Sequence, residues 1–121
     1  MVKVLLDTNT LIDYLNGIEA AKMELERFDN KAISQITWME VMIGTTAETQ
    51  VATKLFLATF ELLNIDDAVS TRAVILRQTK RVKLPDAIIW ATAQVNDRLL
   101  ITRNSNDFAP NEPGVLVPYQ L

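Results

Sequence analysis

The chain has 121 residues, 49% of them hydrophobic, with 12 Lys and Arg against 15 Asp and Glu for a formal charge of −3; this composition suits one globular domain and excludes a disordered or fibrous chain. It contains no cysteine and no histidine, which excludes disulfides, thiolate catalysis, Cys- or His-ligated zinc and Ser-His-Asp triads, and leaves polar chemistry to carboxylates, amides, hydroxyls and basic side chains. The acidic balance gives no overall pull on nucleic acid, so any such binding needs a local basic patch.

In chain order, Val2 to Leu6 reads as a short buried strand, and Leu11, Ile12 and Leu15 follow at helical spacing until Asn16-Gly17 breaks the pattern. A second helix fits Glu19 to Phe28, and a strand over Ala32 to Ile36 follows the Asp29-Asn30 turn. Thr37-Trp38-Met39-Glu40 has the spacing of a capping box ahead of Val41, Met42, Ile43 and Gly44. Ala47 to Phe60 reads as a longer amphipathic helix with Val51, Leu55 and Ala58 on its apolar face. Leu62 to Ile65 is the next strand, and Asp66 opens a helix to about Thr79.

Leu84-Pro85-Asp86 starts another helix, because proline is favoured in the first helical turn, and Ala87 to Val95 is its apolar body. Arg98 to Thr102 is a strand, Asn104 to Pro113 a polar loop, and Val115 to Tyr119 an edge strand that tolerates Pro118. The alternation predicts an α/β sandwich of helices on a mostly parallel sheet, as one domain over 1–121. With no apolar run of about 18 residues and no leader-like start, the expected location is the cytoplasm, without a membrane.

Parallel strands share one direction, so residues after their C-terminal ends meet at one edge, where open α/β sheets place their sites. Asp7 follows the first strand, Glu40 the second, and Asn104 with Asp107 the fourth, while Asp86 sits at a helix start that points to the same edge. Each has an ordinary explanation when taken singly: Asp7 as an N-cap, Glu40 as the end of a capping box, Asp86 as a complement to the helix dipole, Asn104 and Asp107 as turn residues. Gathered together they need a cation, since two like charges about 5 Å apart cost on the order of 3 kcal/mol at an effective dielectric near 20. Oxygen donors of this kind suit Mg²⁺ or Mn²⁺.

Four stretches, "LLDTNTLIDYL", "SQITWMEVMIG", "LPDAIIWATA" and "LLITRNSNDF", in that order along almost the whole chain, resemble the PIN domain, and in particular the VapC-type toxins of bacterial toxin–antitoxin pairs. The resemblance implies a five-stranded parallel sheet flanked by helices, a Mg²⁺- or Mn²⁺-dependent ribonuclease, a homodimer, and a small cognate antitoxin at or beside the active cleft. It makes Asp7, Glu40 and Asp86 the core acids and Asp107 the outer one, with Asn9, Thr102 and Asn104 supporting them. Transfer RNA is among the substrates it suggests, and whether one or two ions act stays open.

Arg77, Lys80, Arg81 and Lys83 precede Asp86 and Arg103 adjoins Asn104, so these cations are expected to grip phosphates flanking the scissile bond. Trp38 and Met42, beside Glu40, are candidates for an antitoxin or dimer contact. Two other readings stand beside the nuclease. One is a catalytically inactive domain of the same fold that binds RNA or protein. The other is a phosphoryl-transfer enzyme with Asp7 as nucleophile, against which the haloacid dehalogenase-like pattern would want Asp where Asn9 stands.

Overall fold

In the computed structural model, which describes residues 2–109 and 112–121, alternate residues of short apolar strands divide between two helical layers. Strand β1 (Lys3–Leu6) leads into α1 (Thr8–Leu15) and α2 (Glu19–Glu26); β2 (Asn30–Ser34) leads into α3 (Gln35–Ile43) and α4 (Gln50–Leu57). Then come β3 (Glu61–Leu63), α5 (Asp67–Lys80), α6 (Leu84–Val95), β4 (Leu99–Ile101) and β5 (Val115–Leu116). The five strands form one sheet in the order β3-β2-β1-β4-β5, and every pairing is parallel.

The two-residue side-chain period of a strand sorts the core. Leu5, Ala32, Leu100 and Val115 face a cluster with Val69, Ala73 and Leu76 of α5 and Ile89 and Trp90 of α6. Val4, Leu6, Ile33 and Ile101 face the opposite cluster with Leu11, Leu25, Val41, Leu57 and Phe60. Burying strands on both faces requires crossover connections, and these are what place the carboxyl ends of β1, β2 and β4 along one edge.

The expected parallel α/β sandwich is the observed one, with several boundaries moved. The first strand starts at Lys3 and leaves Val2 55% exposed. The second strand lies two residues earlier than expected, because Ser34 caps α3 by accepting from the Ile36 amide at 3.3 Å. Thr37 is therefore inside the helix and the expected capping box does not exist. On α4 the buried side chains are Thr53 and Leu57, whereas Val51, Leu55 and Ala58 all face outward. The last strand ends at Leu116, and of the expected Asn104–Pro113 loop, residues 110 and 111 lie outside the described residues.

Candidate active site at the carboxyl edge of the sheet

Asp7 is the last residue before α1 and caps it, accepting from the Thr8 amide at 2.7 Å. Its amide donates to the Ile101 carbonyl at 2.9 Å, which extends the β1–β4 ladder by one bond and fixes the acid against β4. Oδ2 then accepts from the Thr102 hydroxyl at 2.6 Å and from Asn9 Nδ2 at 3.3 Å. Asp7 is only 3% exposed. Burial pushes its pKa above the usual carboxylate range, the bonds from Thr102 and Thr8 oppose this, and the charges of Glu40 and Asp107 add to it.

Glu40 lies in the body of α3, half-buried, where Thr8 Oγ1 donates to its Oε1 at 2.6 Å. The same hydroxyl is 3.0 Å from that of Thr37, so the first turn of α1 ties α3 to the site. Asn104 and Asp107 clasp each other: Asn104 Nδ2 donates to Asp107 Oδ2 at 2.7 Å, and the Asp107 amide donates to Asn104 Oδ1 at 3.2 Å. Thr102 Oγ1 accepts from the Asn104 amide at 3.0 Å while donating to Asp7, so one hydroxyl links the inner acid to the loop that carries the outer one.

Asp86 occupies the first turn of α6 behind Pro85. Its carboxyl is pushed up to about 7, first by burial, then by sharing a hydrogen bond with Asp107, then by the charges of Asp7, Asp107 and Glu40. Asp107 moves the other way, lowered by the Asn104 and Asp86 hydrogen bonds and by the charge of Lys83. The two carboxyls shift in opposite directions, Asp86 up and Asp107 down. Asp86 thus responds to each of the other three acids, which lie at the cap of α1, on α3 and in the loop after β4. No group of three or more acids among the described residues is already closed up as a ligand set for an ion. The donor set is nonetheless all hard oxygen, and like charge around Asp86 is what a divalent cation relieves.

The cations divide into two kinds. Arg77, Lys80, Arg81 and Lys83 are exposed; Lys80 pairs with Glu112 at 3.2 Å, and Arg81 ends α5 in the left-handed conformation at φ 59°. Arg103 is committed elsewhere: Nε and Nη2 donate to the two oxygens of the buried Asp13 at 2.6 and 3.0 Å, and Tyr119 also donates to Asp13, at 2.8 Å. The hydrogen bond to Asp13 raises the Arg103 pKa, and burial together with Asp13 raises that of Tyr119. The expected RNA-gripping Arg103 is thus a braced side chain whose amide also donates to Asn9 Oδ1 at 3.2 Å.

Trp38 and Met42 pack half-buried against the core. More open apolar surface lies nearby, with Ile43 82%, Val51 69% and Leu55 66% exposed. A recess of about 320 Å³ between α1, α3 and α4 is lined by Ile12, Leu15, Glu40 and Val41 among others.

Sequence reading missed Thr8, Asp13 and Tyr119. Asp13 had a visible signal, a charge between Ile12 and Tyr14 in an apolar helix. Nothing local shows that Thr8 meets Glu40, 32 residues further on.

Residues 4–109 match the PIN domain family. No match was found among curated proteins. Among solved structures, a toxin–antitoxin complex from Klebsiella pneumoniae contains a chain 49% identical, with a TM-score of 0.93 over 98% of this chain and 100% of that one. A DNA-bound VapBC from Salmonella typhimurium is 26% identical, with a TM-score of 0.79 over 96% of each chain. FitAcB from Neisseria gonorrhoeae shares the fold at 22% identity, with a TM-score of 0.82 over 98% of this chain and 99% of that one.

Proposed function

Because the chain belongs to the PIN domain family, we propose that it is a VapC-like toxin nuclease, a single catalytic domain that hydrolyses RNA phosphodiester bonds with Mg²⁺ or Mn²⁺. The observation that carries this reading is the set of hydrogen bonds that hold acids at one edge of the sheet, from Thr102 to Asp7, from Thr8 to Glu40 and from Asn104 to Asp107. Repelling acids are kept together there by Thr8, Thr102 and Asn104, at a cost to the fold that a purely structural site would not carry.

Asp7 and Asp86 are the residues best placed to hold a cation, with Glu40 and Asp107 completing the set and orienting the attacking water. When bound, a divalent ion supplies charge neutralisation at the phosphate oxygens and lowers the pKa of water at the site. Thr102 and Asn9 keep Asp7 Oδ2 aimed, Thr8 keeps Glu40 Oε1 aimed, and Asn104 keeps Asp107 aimed. The water gives up a proton to one of these carboxylates or to solvent as its oxygen bonds phosphorus, the bond to the leaving oxygen breaks, and that oxygen takes up a proton from solvent. Histidine is not needed. Lys83, close enough to lower the Asp107 pKa, and the exposed Arg77, Lys80 and Arg81 hold the flanking phosphates.

The Klebsiella and Salmonella relatives are toxin–antitoxin assemblies, and we place a small cognate antitoxin beside Glu40, along the recess lined by Ile12 and Leu15. The outward apolar side chains Ile43, Val51 and Leu55 suit a second copy of the chain.

Purified protein free of antitoxin, incubated with a total RNA pool, is expected to cleave only when Mg²⁺ or Mn²⁺ is added and to lose cleavage on Asp7→Asn. Cleavage indifferent to metal or to Asp7 would sink the mechanism. RNA binding without any cleavage would favour the inactive binding module.

A further inference from the structure

Beside the acids lies a second recess of about 340 Å³ whose lining is of another kind. Its walls are Asn9, Arg103, Asn104, Ser105, Asn106, Gln120 and Leu121, with no Asp or Glu side chain among them. Two of these walls are shared with the acid site: Asn9 donates to Asp7 Oδ2 at 3.3 Å and Asn104 to Asp107 Oδ2 at 2.7 Å. Whatever fills the recess is therefore one residue away from Asp7 and from Asp107.

Neutral amides and a hydroxyl carry both donors and acceptors, and they suit an uncharged polar group with a fixed pattern of its own. A phosphate would prefer cations, and the one cation here, Arg103, already has Nε and Nη2 bonded to Asp13. That brace holds the guanidinium as a fixed plane, and Tyr119 bonds the same carboxylate at 2.8 Å. Asn9 and Asn104 are engaged with the acids and Gln120 Oε1 accepts from the Ser105 hydroxyl at 3.5 Å, while a guanidinium face beside exposed amides such as Asn106 and Gln120 is how proteins stack and read an unpaired base. A volume of about 340 Å³ falls in the range of small-molecule sites of ~300–1,000 Å³.

Resting on the nuclease reading, we propose that this recess is a base-reading subsite for a single-stranded nucleotide next to the scissile phosphate. Asn106 and Gln120, both exposed, read the base edge; Arg103 stacks on its face; Asn9 and Asn104 set its distance from the acids.

The test uses short RNAs and separates binding from cleavage. Fluorescein-labelled octamers of A, C, G and U are titrated by anisotropy into Asp86→Asn protein in EDTA, so that no cleavage is expected. One octamer is expected to bind about fivefold or more better than the weakest, the lower end of what one good base contact supplies. In the triple variant that adds Asn106→Ala and Gln120→Ala, the preference should fall to within about twofold, while the weakest octamer keeps its affinity because phosphate contacts are untouched. Equal binding of all four octamers, or a preference that survives both alanines, would overturn the subsite. Failure of wild-type protein to cleave RNA with metal would instead count against the nuclease reading, and the anisotropy result would still decide the subsite.

Discussion

Replacing Asp86 by Asn should stabilise the metal-free protein while abolishing its activity. Its carboxyl ionises at about 7 instead of 3.8, and at about 1.4 kcal/mol for each tenfold change in proton affinity that corresponds to about 4 kcal/mol of destabilisation once the group is charged. Asp86 is half-exposed, and solvent on its open side reduces this to about 2 kcal/mol. An ionised Asp in the first turn of α6 returns about 0.5 kcal/mol through the helix dipole. The net gain for Asn is then about 1–1.5 kcal/mol, or about 4–6 °C in Tm for a domain of this size. The sign fixes the pH window. Below about pH 4 the carboxyl is protonated in both folded and unfolded chains and Asn has no advantage; the advantage grows as pH rises toward 7 and is constant above it. Differential scanning fluorimetry in EDTA across pH 4 to 8 gives the profile, and adding Mg²⁺ should raise the wild-type Tm and leave the variant unmoved. An Asn variant no more stable at pH 8, or equally more stable at pH 4 and pH 8, would refute the reasoning.

Thr102→Val removes the donor to Asp7 and the acceptor for the Asn104 amide together, so it should cost about 1–3 kcal/mol by chemical denaturation and lower kcat more than it raises KM. Asp13→Ala leaves Arg103 and Tyr119 without their shared partner; the loss should reach about 2–3 kcal/mol, because Arg103 is one-third exposed and recovers some hydration. Arg81→Glu combined with Lys83→Glu should weaken RNA binding and reduce its salt dependence by roughly two counterions, read from affinities at several KCl concentrations; an unchanged slope would remove these residues from the phosphate grip. Arg81→Gly alone should raise Tm slightly, by about 0.5–1 kcal/mol of stability, since it relieves the left-handed backbone at φ 59°.

The element order and the parallel sheet were legible because the strands are short apolar runs separated by helical periods, and because Asp66, Pro85 and Asn16-Gly17 mark helix ends with recognisable chemistry. Boundaries failed where two signals competed. At β2 both Ser34 and Thr37 can cap a helix, and the tertiary position of α3 selects Ser34. At α4 a helical period is present on both faces, and Leu57 with the following Phe60 fills the core better than Val51 and Leu55 do. The sheet edge on which Asp7, Glu40 and Asp107 fall could be read from their places after strands, and that of Asp86 from its helix start, but the side chains bonded to them could not. Thr8 meets Glu40 and Arg103 meets Asp13 across 32 and 90 residues of sequence, and such contacts are set by packing, not by local pattern.

The order of synthesis gives the β1–β4 junction a meaning for the cell. Asp7, Glu40 and Asp86 are all translated before β4, yet Asp7 is held by the Ile101 carbonyl and the Thr102 hydroxyl, 95 residues downstream of it. A nascent chain up to α6 therefore carries three of the four acids without the strand that orders the innermost one. Long-range pairing of this kind forms late and slowly, and domains complete their folding as units during or after translation. For the nuclease proposed above, a strand that orders Asp7 but is made after α6 delays the assembled site until β4 has been synthesised.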